Sequence, residues 1–221
     1  MKFLCLHGQG SNSKIFESQT AALRYELGDH HTYEFVEGTI ATQMDPDLKD
    51  IYSPVDEFFE YVNIGDLESC VAALDYLESY LRAEGPFDAV LAFSQGAALI
   101  VSYLMRRAQR ESPYLDPASF KCAVLFSPVQ ALNPELLSQS SAQVLNGLVH
   151  GVNINTPTAL IWGSNDAVTD AASISGLFYP DKSETYMHDG GHEIPGPRMK
   201  DNVRSIVQLI RRVVSLSTYR Q

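Results

Sequence analysis

Six short apolar runs recur along the chain, at 3–6, 33–36, 89–93, 122–126, 159–162 and 184–187. Most are nearly continuous rather than alternating, which is the pattern of parallel strands buried on both faces. Longer stretches of helical period lie between them. In 66–81, Leu67, Cys70, Val71, Leu74, Leu77 and Leu81 recur at i, i+3, i+4, i+7 spacing, Asp66 is placed to cap the start, and Gly85-Pro86 ends the element. A second helix, over 97–108, is small and apolar on one side and closes on Arg106-Arg107, a favourable charge at a helix C-terminus. Val203, Ile206, Val207, Ile210, Val213 and Val214 predict a terminal helix over 198–216.

Strands alternating with helices predict an α/β fold: one domain over 1–221, with a doubly wound, mostly parallel sheet and helices on both faces. Ligands bind such a sheet at the carboxyl ends of its strands. Two segments break the rhythm. Residues 38–65 are acidic and aromatic, while 127–156 are rich in Gln, Ser and Asn with one short helix expected over 134–145. Both leave strand ends on the ligand side, so both are expected to form walls or a lid over a site.

Composition narrows the function. The 221 residues carry 16 Lys+Arg against 27 Asp+Glu, a net charge of −11, which argues against nucleic acid or an anionic membrane as partner. The four apolar residues after Lys2 fall short of the roughly 7–15 of a signal-peptide core. No run approaches the roughly 20 needed to span a bilayer. Cys5, Cys70 and Cys122 are odd in number and form no C-x-x-C pair, so the expectation is a cytoplasmic protein with buried thiols, needing no metal or other cofactor.

The chemistry concentrates in Val90-Leu91-Ala92-Phe93-Ser94-Gln95-Gly96-Ala97-Ala98, an apolar strand running through a serine into a helix. A serine nucleophile on a strand-to-helix turn needs small residues two positions before and after it, and Ala92 and Gly96 supply them. Ser94 could alternatively cap the helix that follows. A serine hydroxyl needs a base, and the base needs an orienting acid. His192, in the glycine-rich stretch Asp189-Gly190-Gly191-His192, is the preferred base over His150 and His188. Asp166, on the turn after 159–162, is preferred as the acid over Asp170, which reads as a helix cap. An oxyanion needs two donors: the N–H of Gln95 after the nucleophile, and one from the loop Leu6-His7-Gly8-Gln9-Gly10-Ser11, with Gln9 the expected donor. Tyr52, Phe58, Phe59, Phe93 and Phe126 are candidate walls for an uncharged acyl group. Arg106, Arg107 and Arg110 are either a basic docking patch or a solvated helix end.

Taken together, Cys5-Leu6-His7-Gly8, Ala92-Phe93-Ser94-Gln95-Gly96-Ala97, Ile161-Trp162-Gly163-Ser164-Asn165-Asp166 and Gly190-Gly191-His192 resemble the fungal family of serine hydrolases, over essentially the whole chain. Ala92 stands where the family commonly has glycine. The resemblance implies an α/β-hydrolase fold with Ser94, Asp166 and His192 as catalytic triad, acting on a small-molecule acyl ester or a carrier-protein-bound thioester. It also implies similarity to stand-alone thioesterases and esterases of fungal secondary metabolism that release polyketides from the carrier domain of a synthase. Non-hydrolytic acyl transfer or cyclisation in the same kind of pathway, and a catalytically silent binding protein, are the alternatives on this fold.

Overall fold

The computed structural model describes residues 1–53, 55–63, 65–110 and 119–218. In chain order the elements are β1 (Lys2–Leu6), α1 (Ser13–Gln19), α2 (Ala21–Leu27), β2 (Thr32–Val36), β3 (Ile40–Thr42), β4 (Phe58–Glu60), α3 (Leu67–Glu84), β5 (Ala89–Phe93), α4 (Ser94–Gln109), β6 (Cys122–Phe126), α5 (Pro134–Leu137), α6 (Gly147–His150), β7 (Thr158–Gly163), α7 (Ala171–Ser175), β8 (Ser183–His188) and α8 (Lys200–Thr218). Six strands form one sheet in the order β2-β1-β5-β6-β7-β8, every pair parallel. The order reverses between β1 and β5, and a crevice opens beyond the strand ends at such a reversal.

The nearly continuous apolar runs are explained by what covers them. Leu4, Leu6, Val90, Ala92, Leu125 and Leu160 face α3 and α4, while Phe3, Cys5, Leu91, Val124, Phe126 and Ile161 face α2 and α8. Both faces are therefore core, and each fully buried Leu or Phe contributes roughly 1.5–3 kcal/mol. Asp66 caps α3 as expected, its carboxylate accepting from the N–H groups of Glu68 and Ser69. Cys5 and Cys122 have no exposed surface, and burial raises both thiols, Cys122 to about 12. Among the described residues no helix is long and apolar enough to cross a membrane.

Three features add to or differ from the sequence reading. The helix expected over 134–145 stops at Leu137, because the chain turns back and pairs with itself: Asn133 N–H donates to Gln143 O and Leu145 N–H to Ala131 O. The stretch 13–27 forms α1 and α2, interrupted at Thr20, whose hydroxyl donates back to Phe16 O. Within 38–65, β3 and β4 form an antiparallel hairpin that is bonded to the loop after β1, with Gly10 N–H donating to Phe59 O and Phe59 N–H to Ser11 O. That half of the segment is strapped to the sheet end rather than hanging over it.

Candidate active site

β5 delivers its chain to Ser94 at the crevice, where φ is +53°. A non-glycine residue in this region costs on the order of 1–3 kcal/mol and persists only where its surroundings over-determine it. Here the cause is the sharp turn from strand to helix, which turns the hydroxyl outward over the sheet end. The turn closes only because position 96 lacks a side chain: a Cβ on Gly96 would stand 2.5 Å from His7 O. The alternative cap role for Ser94 is not the one adopted, since Phe93 occupies the cap position and no side chain caps α4.

The Ser94 hydroxyl instead meets His192, with Nε2 to Oγ at 2.9 Å. His192 Nδ1 lies 2.8 Å from Asp166 Oδ2. A carboxylate can only accept, so Nδ1 carries the ring proton and Nε2 is left to accept from the serine. Asp166 is itself held in place, its Oδ1 accepting from the N–H groups of Val168 and Thr169 at 3.1 and 3.0 Å. Burial opposes its charge, but the imidazole, the Ser127 hydroxyl and the Val168 N–H together outweigh that and keep the carboxyl below its ordinary range. The buried Ser127 hydroxyl contributes in the same direction, although it forms no well-aligned hydrogen bond.

Two loops must therefore sit in register, and backbone contacts set that register. Ser164 N–H donates to His188 O and Asn165 N–H to Gly190 O, and the Asn165 side chain donates to Asp189 O. They can approach because residue 163 is glycine: a Cβ there would lie 2.3 Å from the carbonyl oxygens of both Gly190 and Gly191. The other histidines and the other acid are engaged elsewhere. His188 is buried, accepts from Gly190 N–H, and is driven towards its neutral form by desolvation. His150 bonds within its own short helix and to Gln143. Asp170 stands at the start of α7 without capping it through its side chain; Thr169 Oγ1 accepts from Ala171 N–H instead.

The loop after β1 lies against the nucleophile, since a Cβ on Gly8 would be 3.2 Å from Ser94 Cβ. Gln9 N–H has no partner among the described residues, and Gln95 N–H belongs to the first turn of α4, where no intrahelical acceptor exists. Gln9 and Gln95 thus offer two N–H groups, one on the loop packed against Ser94 and one next to it in the chain. Their side chains have a role that sequence reasoning missed. Gln95 is buried, its Oε1 accepting from Tyr61 N–H at 2.7 Å and its Nε2 donating to Val62 O. Gln9 Nε2 donates to the buried Glu60 carboxylate at 2.6 Å. The end of β4 and the two residues after it, Glu60 to Val62, so hold both glutamine side chains at once. Glu60 lies in an acidic, aromatic stretch with no local signature, so only the pairing of β4 with the loop could reveal it.

The candidate substrate walls divide. Phe93 touches the His192 ring, with centroids 4.9 Å apart. Phe126 is fully buried in the sheet on the α8 face, because its position in β6 points it away from the crevice. Tyr52 and Phe58 pack into a small cluster with Ile15, Met44 and Leu48, and Phe59 lines an outer groove with Thr42 and Met44. The alternation along β4 buries Phe58 in that cluster and leaves Phe59 at the outer groove, so with Tyr52 and Phe126 four of the five are corrected to core or outer-surface positions. Arg106 pairs with Asp75 at 2.6 Å and Arg110 with Glu78 at 2.8 Å, so those charges are locally balanced.

Among curated proteins, the chain is 34% identical to Esterase FPY3 of Fusarium mangiferae over 97% of this chain and 99% of that one. It is 30% identical to Hydrolase phiM of Talaromyces stipitatus over 98% of this chain and 90% of that one. Solved structures of similar fold include Arabidopsis thaliana SOBER1, with TM-score 0.59, 16% identity and 97% and 99% of the two chains covered. A carboxylesterase from Mesorhizobium loti gives TM-score 0.59 at 17% identity, over 96% and 88%. These place the sheet among α/β-hydrolase folds. A family model described as Serine hydrolase (FSH1) matches residues 1–205, and the chain belongs to that serine hydrolase family.

Proposed function

We propose that the enzyme hydrolyses carboxylic esters or thioesters through an acyl-enzyme on Ser94, with His192 as general base and acid, Asp166 orienting the imidazole, and the Gln9 and Gln95 amides holding the oxyanion. The observation that carries this reading is the continuous chain Ser94 Oγ, His192, Asp166 at 2.9 and 2.8 Å, ending on a serine strained into the crevice. His192 takes the serine proton as Ser94 attacks the carbonyl. The imidazolium then protonates the leaving alcohol or thiol, and the neutral ring activates the water that frees the acid. Asp166 stabilises the imidazolium without itself accepting the proton.

The finer reading is a stand-alone esterase or thioesterase of fungal polyketide metabolism, acting on a small acyl ester or a carrier-bound thioester. Similarity over nearly full length to fungal esterases and hydrolases supports it. The test compares matched oxygen esters and thioesters of one medium-chain acid, with wild type beside Ser94→Ala and fluorophosphonate labelling read by mass. Serine-dependent turnover of at least one of the two is the expected result, and the preferred leaving atom, oxygen or sulfur, assigns esterase or thioesterase. Turnover that survives Ser94→Ala overturns the triad assignment, and Ser94 labelling without hydrolysis of either substrate overturns the hydrolytic step.

A further inference from the structure

His7 has no exposed surface and takes no part in the triad, yet both nitrogens of its ring are engaged. Nδ1 lies 2.7 Å from Gly8 O, and Gly38 N–H donates to Nε2 at 3.0 Å. A carbonyl only accepts and an amide N–H only donates, so Nδ1 carries a proton and the Nε2 lone pair serves Gly38. Glu37 Oε1 stands 2.9 Å from the same Nε2 and becomes its acceptor when the ring is doubly protonated. In either state Nδ1–H donates to Gly8 O.

The surroundings hold the ring in this orientation. His7 N–H donates to Tyr61 Oη at 3.0 Å, and Tyr61 Oη donates in turn to Val36 O. Glu37 is fixed by the N–H and the hydroxyl of Ser13, each at 2.9 Å. The end of β2 and the start of α1 thus converge on one imidazole beyond β1, and what that imidazole holds is the Gly8 carbonyl.

That carbonyl belongs to the peptide unit whose N–H is that of Gln9. In a planar trans peptide the two groups point in opposite directions, so a donor that fixes the carbonyl fixes the N–H as well. A bond donated to the carbonyl also polarises the unit and makes its N–H a stronger donor. The unit lies against the nucleophile, since a Cβ on Gly8 would be 3.2 Å from Ser94 Cβ. Glu60 anchors only the Gln9 side chain, which leaves the peptide plane to His7.

We infer that His7 is a positioning residue for the reaction, its Nδ1–H aiming and polarising the Gln9 N–H that receives the oxyanion formed at Ser94. The inference rests on the acyl-enzyme reading and assigns the alignment of one of its two donors.

The test sets His7→Asn against His7→Gln, because an asparagine amide reaches the position of Nδ1 and a glutamine amide that of Nε2. Asparagine keeps the donor to Gly8, while glutamine keeps the contacts to Gly38 and Glu37 and loses that donor. The readouts are kcat/KM on p-nitrophenyl acetate and Ki for phenylboronic acid, whose tetrahedral adduct on Ser94 puts an oxygen where the oxyanion forms, with Ser94→Ala as control. His7→Gln should lower kcat/KM and raise Ki by about thirtyfold each, short of the roughly 10²–10³ lost with a whole donor, and His7→Asn should recover at least about fivefold of both. Equal losses, or a larger loss in His7→Asn, overturn the positioning role and leave the triad standing, because a ring that only braces Glu37 and Gly38 is better replaced by glutamine. If neither variant folds, nitrogen-15 spectra of histidine-labelled wild type decide. His7 Nδ1, assigned by its response to Glu37→Gln, must be protonated and must shift when the boronate binds; failure of either overturns the inference. Turnover independent of Ser94 overturns the acyl-enzyme reading itself.

Discussion

Gly163→Ala tests whether the site depends on the fit of two backbone loops. The added Cβ would fall 2.3 Å from the carbonyl oxygens of Gly190 and Gly191. Ordinary contacts of this kind begin near 3.4 Å, so the Asp166 turn and the His192 loop must separate by about 1.1 Å. Neither partner can yield as a flexible side chain would, because both are backbone and both are tied across the gap by Ser164 N–H to His188 O and Asn165 N–H to Gly190 O. Displacement passes directly into the 2.8 Å contact between His192 and Asp166. A misplacement of about 1 Å costs on the order of a hundredfold in rate, so kcat should fall about that much while the far-ultraviolet circular dichroism stays unchanged. Gly191→Ala is the matched control in the same loop. Its Cβ would meet nothing nearer than Asn165 O at 3.9 Å, and its kcat should stay within about threefold of wild type. Steady-state kinetics on a common ester, with the rate of fluorophosphonate labelling as a second readout, decides the matter. Equal kcat for the two variants would refute the reasoning.

Asp166→Asn should lower kcat by about 10³–10⁴, because the wrong imidazole tautomer is then favoured, and Asp170→Asn should change it less than about threefold; the reverse order in kinetics would exchange the two roles. Glu60→Ala removes the 2.6 Å partner of Gln9 and should lower kcat about tenfold with KM unchanged, a cost in keeping with one charge-assisted hydrogen bond. Glu60→Gln should restore most of that rate, and a change confined to KM would show that Glu60 does not position the donor. Asp166 and Glu37 are both held below their ordinary values of 3.8 and 4.5; burial opposes this, and His192, Ser127 and Val168 for the one and His7 and Ser13 for the other outweigh it. Folded-state values below unfolded ones make their stabilisation complete above about pH 5 and lost as pH falls through about 4 towards the folded values. Thermal unfolding followed from pH 7 to pH 3 should show that loss, and Glu37→Gln should flatten the acid limb of the curve.

Burial on both faces is written into the four central strands as an unbroken apolar run, while the edge strands β2 and β8 showed as shorter aromatic and β-branched stretches, so all six were legible within a residue or two of their ends. The three long helices were legible from their spacing. Ser94, Asp166 and His192 were legible too, because each sits where a strand end must present it, and small residues around it mark the close approach. The hairpin of β3 and β4 was not legible. Its strands have three residues each, too few to show a period, and its stability comes from pairing with a loop some 50 positions earlier in the chain. For the same reason Glu60 carried no signal, and the aromatics at 52, 58 and 59 read as site walls although Tyr52 and Phe58 pack against Leu48 and Phe59 lines an outer groove. Local periodicity decides which face of an element is buried; only the pairing of segments far apart in the chain decides which residues meet at the nucleophile, as glycine at 163 lets the Asp166 turn reach the His192 loop.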